Sequence, residues 1–98
     1  MSILEDMLKE EQQRSLRMRA AVQQELGQLP RGYISRKIIR GRPVYYLQRR
    51  EGKRVLSQHI PRGELAEVER RVARRKELQA MDKAIKNNLK RIQRALKP

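Results

Sequence analysis

Two glycine-containing breaks divide residues 30–60 into three short segments, and this division constrains the fold more than any other feature of the chain. The breaks are Arg40-Gly41-Arg42-Pro43 and Glu51-Gly52-Lys53. The segments, rich in β-branched and aromatic residues, are Gly32–Ile39, Val44–Arg50 and Arg54–Ile60. Short strands joined by tight glycine turns form an antiparallel meander, so the sequence predicts a three-stranded sheet over residues 32–60. Since proline removes a ladder donor, Pro43 is expected at the turn or at a strand start.

A helix is predicted before the sheet, over residues 2–27. Ser2 followed three residues later by Glu5 has the spacing of a capping box, and Gly27 is a typical helix end. Apolar residues recur on one side at Leu4, Leu8, Met18, Val22 and Leu26. The residues between them, 10–15, are polar, so this helix is expected to pack at its two ends and weakly in its middle.

A longer helix is predicted after the sheet, over residues 64–97, because this stretch lacks both Gly and Pro. Its apolar residues follow a helical spacing of three or four at Leu65, Val68, Val72, Leu78, Met81, Ile85, Leu89, Ile92 and Leu96. A bend near Met81-Asp82, giving two helices, is the alternative. The distal part of the stripe needs another surface, either the first helix or a second copy of the chain. The predicted fold class is therefore α+β, with an N-terminal helix, a three-stranded antiparallel meander and a long C-terminal helix.

Length and composition limit the chain further. Its 98 residues allow a single domain, 1–98, with a thin core that contains no Phe, Trp or Cys. Without Cys there is no disulfide or thiolate metal site, and the one histidine, His59, has no nearby carboxylate cluster in the sequence. The start of the chain does not resemble a secretory signal. We expect a cytoplasmic protein without metal or other cofactor.

The net charge of +14 is unevenly distributed along the chain. Residues 1–29 carry a net −1, residues 30–60 carry +8 from nine bases and one acid, and residues 61–98 carry +7. A small sheet with so much positive charge needs a polyanion, an acidic protein partner or a reason to tolerate its own repulsion as a solvated surface, and the clustering of bases with almost no acids favours the polyanion. The sequence therefore predicts that the sheet binds nucleic acid.

Alternation along the strands predicts which sheet residues form the contact surface. Tyr45, Leu47, Leu56, Ile60 and Ile39 are assigned to the core face, packed on the start of the last helix. The opposite face then presents Arg36, Tyr46, Gln48, Arg50, Ser57 and His59, side chains that suit base edges and phosphates. Four more cations are placed on the turns as phosphate contacts: Arg40, Arg42, Lys53 and Arg54.

The basic run in the last helix has two interpretations that the sequence leaves open. Arg71, Arg74 and Arg75 could contact phosphates, or they could form an exposed face balanced by Glu67, Glu69 and Glu77. The set further along, Lys86, Lys90, Arg91, Arg94 and Lys97, fits a solvated face or a loose polyanion contact.

Residues 32–75 resemble the arm-type DNA-binding domain of tyrosine recombinases and phage integrases. The residues that carry this resemblance are Tyr45-Tyr46-Leu47, Glu51-Gly52-Lys53-Arg54 and the helix 64–75. The resemblance implies a three-stranded sheet laid into the DNA major groove, with a helix behind it. The stretch LPRGYI…GRPVYYLQRREGK also resembles a short uncharacterised domain of bacterial and mobile-element proteins. The chain has no room for a recombinase catalytic domain, so that chemistry is not implied.

The sequence favours a non-catalytic nucleic-acid-binding protein, with DNA favoured over RNA, because no set of nucleophile, base and orienting residue can be assembled from it. The alternative is a small phage or mobile-element interaction protein that inhibits a host nucleoprotein machine, an anti-CRISPR-like role. A homodimer through the long C-terminal helix, as a coiled coil, is a further expectation. A membrane-surface role ranks below these because the basic helix lacks Trp and Phe anchors.

Overall fold

The computed structural model describes residues 2–97 and confirms the α+β arrangement. In chain order its elements are α1 (Ile3–Leu26), β1 (Tyr33–Ile39), β2 (Arg42–Glu51), β3 (Arg54–Ile60), a short 3-10 turn (Arg62–Glu64) and α2 (Leu65–Leu96). These elements form two compact units. The helix-pair unit contains α1 and the part of α2 from Glu77 onward, and the sheet unit contains Leu29–Lys76.

Helix α1 begins and ends where its capping residues predict. The backbone N–H of Glu5 donates a 3.1 Å hydrogen bond to Oγ of Ser2, which satisfies one of the free donors of the first turn. At the other end Gly27 caps the helix in the right-handed region, and its N–H donates to the carbonyl of Gln23. Gly27 therefore ends the helix without using the left-handed conformation that glycine permits.

Helix α2 is continuous through Met81 and Asp82, so the predicted alternative of two shorter helices is wrong. Nothing in this segment interrupts the backbone hydrogen bonds, because it contains neither Gly nor Pro. The helix contributes residues 65–76 to the sheet unit and the rest to the helix-pair unit.

The helix-pair unit is held together by an apolar stripe with polar contacts inside it. Val22 of α1 and three residues of α2, Leu78, Ile85 and Ile92, are buried. In the middle of α1, Ser15 is 5 % exposed, and its hydroxyl accepts a 3.3 Å hydrogen bond from the side-chain amide of Asn88. The same amide lies 3.4 Å from Oε1 of Glu11. The predicted weak middle is thus wrong, because Glu11 and Ser15 there form hydrogen bonds with α2.

A second polar contact lies nearer the C-terminal end of α1, at the buried carboxylate of Asp82. A hydrogen bond from Gln23, together with the nearby charges of Lys86 and Arg19, holds the pKa of this carboxyl below its usual value. Nε of Arg19 lies 3.3 Å from Oδ1, and Nζ of Lys86 lies 3.4 Å from Oδ2. Because Asn88 contacts the middle of α1 and Asp82 contacts residues nearer its end, the two helices run antiparallel.

The sheet is a meander of order β1-β2-β3, as predicted, with tighter turns than expected. Arg40 and Gly41 have φ of 52° and 77°, the pattern of a two-residue type I′ turn, and Ile39 pairs directly with Arg42. The predicted four-residue break is therefore wrong, and Pro43 lies inside β2. Pro43 is the second residue of β2, at the start of the strand as expected. There β2 pairs with β1 only, because its pairing with β3 begins at Tyr45.

A glycine just before β1 allows the chain to approach β2 closely. Gly32 has a φ of +116°, a value that side-chain-bearing residues rarely adopt. A Cβ at this position would lie 2.2 Å from the backbone oxygen of Gln48. The first strand accordingly begins at Tyr33 and not at Gly32.

The core of the sheet unit is thin, as its composition predicts. Ile60 and Val72 are buried, and Leu47 and Val68 are half-buried beside them. Leu47, Ile60 and Val68 line the same cavity of about 200 Å³, so the sheet and the first turns of α2 meet there. Nη1 of Arg75 also donates a 3.1 Å hydrogen bond to the carbonyl of Leu29, which ties α2 to the segment that enters the sheet.

Candidate nucleic-acid interface

The strand register divides the sheet residues between two faces, because residues directly opposite each other in an antiparallel pair point to the same side. The inner face consists of Ile34, Arg36, Ile38, Pro43, Tyr45, Leu47, Arg49, Glu51, Arg54, Leu56, Gln58 and Ile60. The outer face consists of Tyr33, Ser35, Lys37, Ile39, Arg42, Val44, Tyr46, Gln48, Arg50, Val55, Ser57 and His59. Ile60, on the inner face, is buried and meets α2, so the outer face is the candidate contact surface.

The predicted faces are correct for β2 and β3 and wrong for β1. Arg36 is opposite Tyr45, so it lies on the inner face and not beside Tyr46. Ile39 is opposite Arg42, so it lies on the outer face and not in the core. Apolar residues occur in both alternating sets of β1, so its pattern does not indicate which set faces inward.

Tyr46 occupies the centre of the outer face, between a cation and an imidazole. Nζ of Lys37 lies 5.2 Å from the centroid of the Tyr46 ring, a cation–π contact. The ring of His59 meets the ring of Tyr46 edge-on, with centroids 5.8 Å apart and planes at 71°. Lys37 was missed from the sequence, because the set of β1 residues that contains it was assigned to the core.

Beside this group, Nε2 of Gln48 donates a 3.0 Å hydrogen bond to Oγ of Ser57 across the β2–β3 pair. The contact orients both side chains on the outer face and leaves the amide oxygen of Gln48 and the hydroxyl proton of Ser57 for a ligand. Arg50, further along β2, is exposed on the same face. The structure therefore brings together five of the six predicted face residues: Tyr46, Gln48, Arg50, Ser57 and His59.

The four cations predicted on the turns lie at opposite ends of the sheet. Arg40 is in the first turn and Lys53 in the second, and both are exposed. Arg42 and Arg54 are instead the first residues of β2 and β3, and Arg54 is opposite Glu51. Arg42 points to the outer face, so it belongs with Lys37 and Arg50 as an outer-face cation.

An open cleft of about 610 Å³ adjoins the outer face at the end of β3. Its polar lining comes from Arg42, His59 and Arg62, and the rest of its lining from Pro43, Val44, Tyr45 and Ile60. Arg62, in the turn after β3, was not among the predicted contact residues. Two guanidinium groups and an imidazole around one cleft make it a suitable place for a phosphate.

The three cations of α2 that were predicted as phosphate contacts differ in what they contact within the fold. Arg75 is half-buried, and its guanidinium donates a hydrogen bond to the carbonyl of Leu29, so it stabilises the fold. Arg71 lines the cavity shared by the sheet and α2, and Arg74 is exposed. Nearby, Arg70 forms an ion pair with Glu67 one turn before it, as the interpretation of a balanced exposed face expects.

The two units differ strongly in charge. Residues 29–76 contain fifteen Lys and Arg and four acids, a net +11, whereas the remaining residues carry a net +3.

Within residues 2–97, no group of three His, Asp or Glu side chains is placed to hold a metal ion. Neither helix in that range has a stretch long and apolar enough to cross a membrane.

Comparison with known proteins assigns the chain to a family and supplies no described relative. No curated protein and no solved structure matches it. Residues 4–70, which include nearly all of α1, the whole sheet and the start of α2, match a family model described as a domain of unknown function, DUF6788. This match covers more than half of the chain and agrees with the expected short uncharacterised domain, so the protein belongs to the DUF6788 family.

Proposed function

We propose that this protein binds nucleic acid without catalysing a reaction on it, and that the outer face of the sheet makes the contact. The observation that carries the proposal is the concentration of charge, because the sheet unit holds +11 of the total +14. Phosphate contacts by Lys and Arg supply most of the affinity of such proteins.

The chemistry of the outer face supports the same proposal. Lys37, Arg42 and Arg50 supply exposed cations, and Tyr46 supplies an aromatic surface between two strands. Gln48 and Ser57 offer polar groups at the centre. Cations that surround aromatic and amide groups can position a backbone and still reach base edges.

We favour DNA over RNA as the ligand. The major groove of B-form DNA admits a two-stranded β-ribbon, whereas the major groove of A-form RNA is too narrow for side chains to read. The resemblance of residues 32–75 to the arm-type domains of integrases supports this choice, since their sheet enters the major groove. A cytoplasmic location is part of the proposal.

One experiment tests the proposal directly. The full chain is titrated into labelled duplex DNA, single-stranded DNA and structured RNA over a salt series, and binding is followed by fluorescence anisotropy. Six to eight phosphate contacts predict a log–log salt slope of about −5 to −7 for duplex DNA. Binding that is absent at low salt for all three ligands, or that does not weaken with salt, would refute the proposal.

A triple variant tests whether binding depends on the cations of the outer face or only on the net charge of the chain. Replacement of Lys37, Arg42 and Arg50 by Gln should make the salt slope shallower by about 2.7 and weaken binding by two to three orders of magnitude near 0.1 M salt. The control replaces three exposed cations of the helix-pair unit, Lys83, Lys90 and Arg94, and has the same net charge. Equal losses in the two variants would contradict the assignment to the outer face.

The alternative function, an anti-CRISPR-like inhibitor from a phage or mobile element, has its own supporting observation. Three large apolar side chains on the edge strand β1 are exposed: Tyr33, Ile38 and Ile39, at 55, 60 and 44 %. An edge strand with exposed apolar side chains suits a protein partner. A stable stoichiometric complex with a protein, combined with weak binding to naked DNA, would favour this alternative.

A further inference from the structure

The open cleft at the end of β3 lies where β2 extends beyond its neighbour. Strand β2 pairs with β1 from its first residue, Arg42, whereas its pairing with β3 begins only at Tyr45, opposite Ile60. After Ile60 the chain leaves the sheet and turns through Arg62–Glu64. In the described part of the chain, residues 42–44 therefore have no strand beside them on the β3 side, and the cleft of about 610 Å³ occupies that gap.

Two guanidinium groups share this cleft without a counterion from the protein. Arg42 reaches it from the start of β2 and Arg62 from the turn after β3. Among residues 2–97 no Asp or Glu lines the cleft, and neither guanidinium has an ion pair or hydrogen bond with another residue of that range. Like charges in one space repel each other unless an anion lies between them, so the arrangement favours an anionic ligand.

His59 adds a third polar group to the same cleft. Its ring meets the ring of Tyr46 edge-on, with centroids 5.8 Å apart, and this contact orients the imidazole at the border of the cleft. An imidazole can donate an N–H to an anion, and a guanidinium can donate two in parallel. The cleft thus offers three separate donor groups to one ligand.

The charge and the number of these donors favour a terminal phosphate over a phosphate within a strand. A phosphate monoester carries a charge of about −1.5 to −2 at pH 7 and three oxygens that accept hydrogen bonds. An internal phosphodiester carries one negative charge and exposes only two such oxygens, because its other two bridge to sugars. The two guanidinium groups balance a monoester, whereas a diester would leave one of them uncompensated.

The remaining lining indicates what carries the phosphate. Pro43, Val44 and Ile60 place apolar surface beside the three donor groups. The volume of the cleft lies within the range of pockets that hold small molecules, which leaves room for a sugar and a base next to the phosphate. Arg42 and His59 also belong to the outer face, so a strand bound on that face can end in the cleft.

We propose that this cleft binds the phosphate monoester of a nucleotide, and that the nucleotide is the phosphorylated end of a DNA strand held on the outer face. The choice of a strand end as the source rests on the proposed nucleic-acid binding. The site itself goes beyond that function, because contacts with the inside of a duplex require no terminal phosphate.

The first test uses a free nucleotide and so does not depend on binding of DNA. The full chain is titrated with dAMP, deoxyadenosine and phosphoserine, and the backbone amide signals are followed by NMR. Binding of dAMP should shift the signals of residues 42–45 and 59–62, with a dissociation constant on the order of 1 mM. Deoxyadenosine, which lacks the phosphate, should leave them unchanged, and phosphoserine should bind more weakly than dAMP because it lacks the nucleoside.

The second test compares short duplexes that differ only in their ends, which carry a 5′-phosphate, a 3′-phosphate or hydroxyl groups alone. The full chain should bind one of the phosphorylated duplexes at least about fivefold more tightly than the hydroxyl duplex at roughly 0.1 M salt. Arg62→Gln should remove this difference. The control, Arg94→Gln, removes the same charge from an exposed position of the helix-pair unit and should keep it. Circular dichroism of both variants checks that the fold is unchanged.

The outcomes separate this site from the proposed function. Equal affinity for all three duplexes, with binding that weakens with salt, would overturn the end site and leave the nucleic-acid-binding function intact. Shifts caused by dAMP without binding of any duplex would support the nucleotide site and overturn the strand end as its source. Tighter binding of phosphoserine than of dAMP would overturn the nucleotide assignment in favour of a phosphopeptide. Equal loss of the end preference in Arg62→Gln and Arg94→Gln would place the site outside the cleft.

Discussion

Replacing Lys37 with Gln should weaken DNA binding, whereas replacing its neighbour Arg36 with Gln should leave it nearly unchanged. The two cations are adjacent in β1 and both are exposed, so each substitution removes the same charge at the same place along the sheet. Their side chains nevertheless leave the sheet on opposite faces, Arg36 opposite Tyr45 and Lys37 opposite Val44. The pair therefore tests the face and not the total charge.

The size of the effect follows from counterion release. Loss of one phosphate contact should make the log–log salt slope shallower by about 0.9, which corresponds to about five- to eightfold weaker binding at roughly 0.10–0.15 M salt. Lys37 also lies 5.2 Å from the centroid of the Tyr46 ring. Such an exposed cation–π contact stabilises a fold by about 0.5–1 kcal/mol, so a small loss of stability should accompany the loss of binding.

The assay is fluorescence anisotropy of labelled duplex DNA over a salt series, with urea unfolding of each variant to separate binding from stability. Lys37→Arg keeps the charge and should bind within about twofold of the original chain, since Arg contacts phosphate at least as well as Lys. An equal loss for both Gln variants, or a larger loss for Arg36→Gln, would show that the outer face is not the binding surface.

Three further predictions concern stability. Asn88→Ala removes two hydrogen bonds to α1 and should reduce the free energy of unfolding by about 1–3 kcal/mol in urea titrations. The control is Asn87→Ala, at an exposed neighbouring position, which should change the free energy of unfolding by less than about 0.5 kcal/mol. Equal effects of the two variants would contradict the polar contact. Gly32→Ala should reduce the free energy of unfolding by on the order of 3 kcal/mol, because the added Cβ would clash with the backbone of β2 and the φ at this position disfavours a side chain. Gly63→Ala, with open space around the added Cβ, should be tolerated. Thermal unfolding of both variants checks this. The lowered pKa of Asp82 means that its carboxylate stabilises the fold above its unfolded pKa, and this contribution is lost as pH falls through the folded pKa. The free energy of unfolding measured in urea should therefore decrease below about pH 4, and in Asp82→Asn it should decrease less over that range. If the variant showed the same pH dependence as the original chain, this expectation would be wrong.

The elements of the fold could be predicted because local rules determine them. Ser2 and Gly27 mark the ends of α1, and the glycines of the two turns separate three strands. The absence of Gly and Pro between residues 64 and 97 yields one continuous helix. Each of these features depends on backbone conformation within a few residues, which the sequence records directly.

The candidate site could be predicted for two strands and not for the third. In β3 the set with Leu56 and Ile60 is clearly more apolar than the set with Val55, Ser57 and His59, and in β2 the polar Gln48 shares a set with Tyr46. Tyr46, Gln48 and His59 were therefore assigned to the correct face. In β1 both sets contain apolar residues, and Arg36 and Lys37 exchanged faces as a result. Pattern alone cannot separate two sets of equal hydrophobicity, whereas the pairing partners do so at once.

By itself the sequence determined the helices, the number of strands and the concentration of positive charge around the sheet, since these depend on residue types and local spacing. The tertiary structure decided which cations share a face, that the polar middle of α1 contacts Asn88, and that Arg75 is bonded to the carbonyl of Leu29. These outcomes join residues far apart in the chain. A side chain's role in them depends on which distant group lies within hydrogen-bonding reach, and only the packed fold brings those groups together.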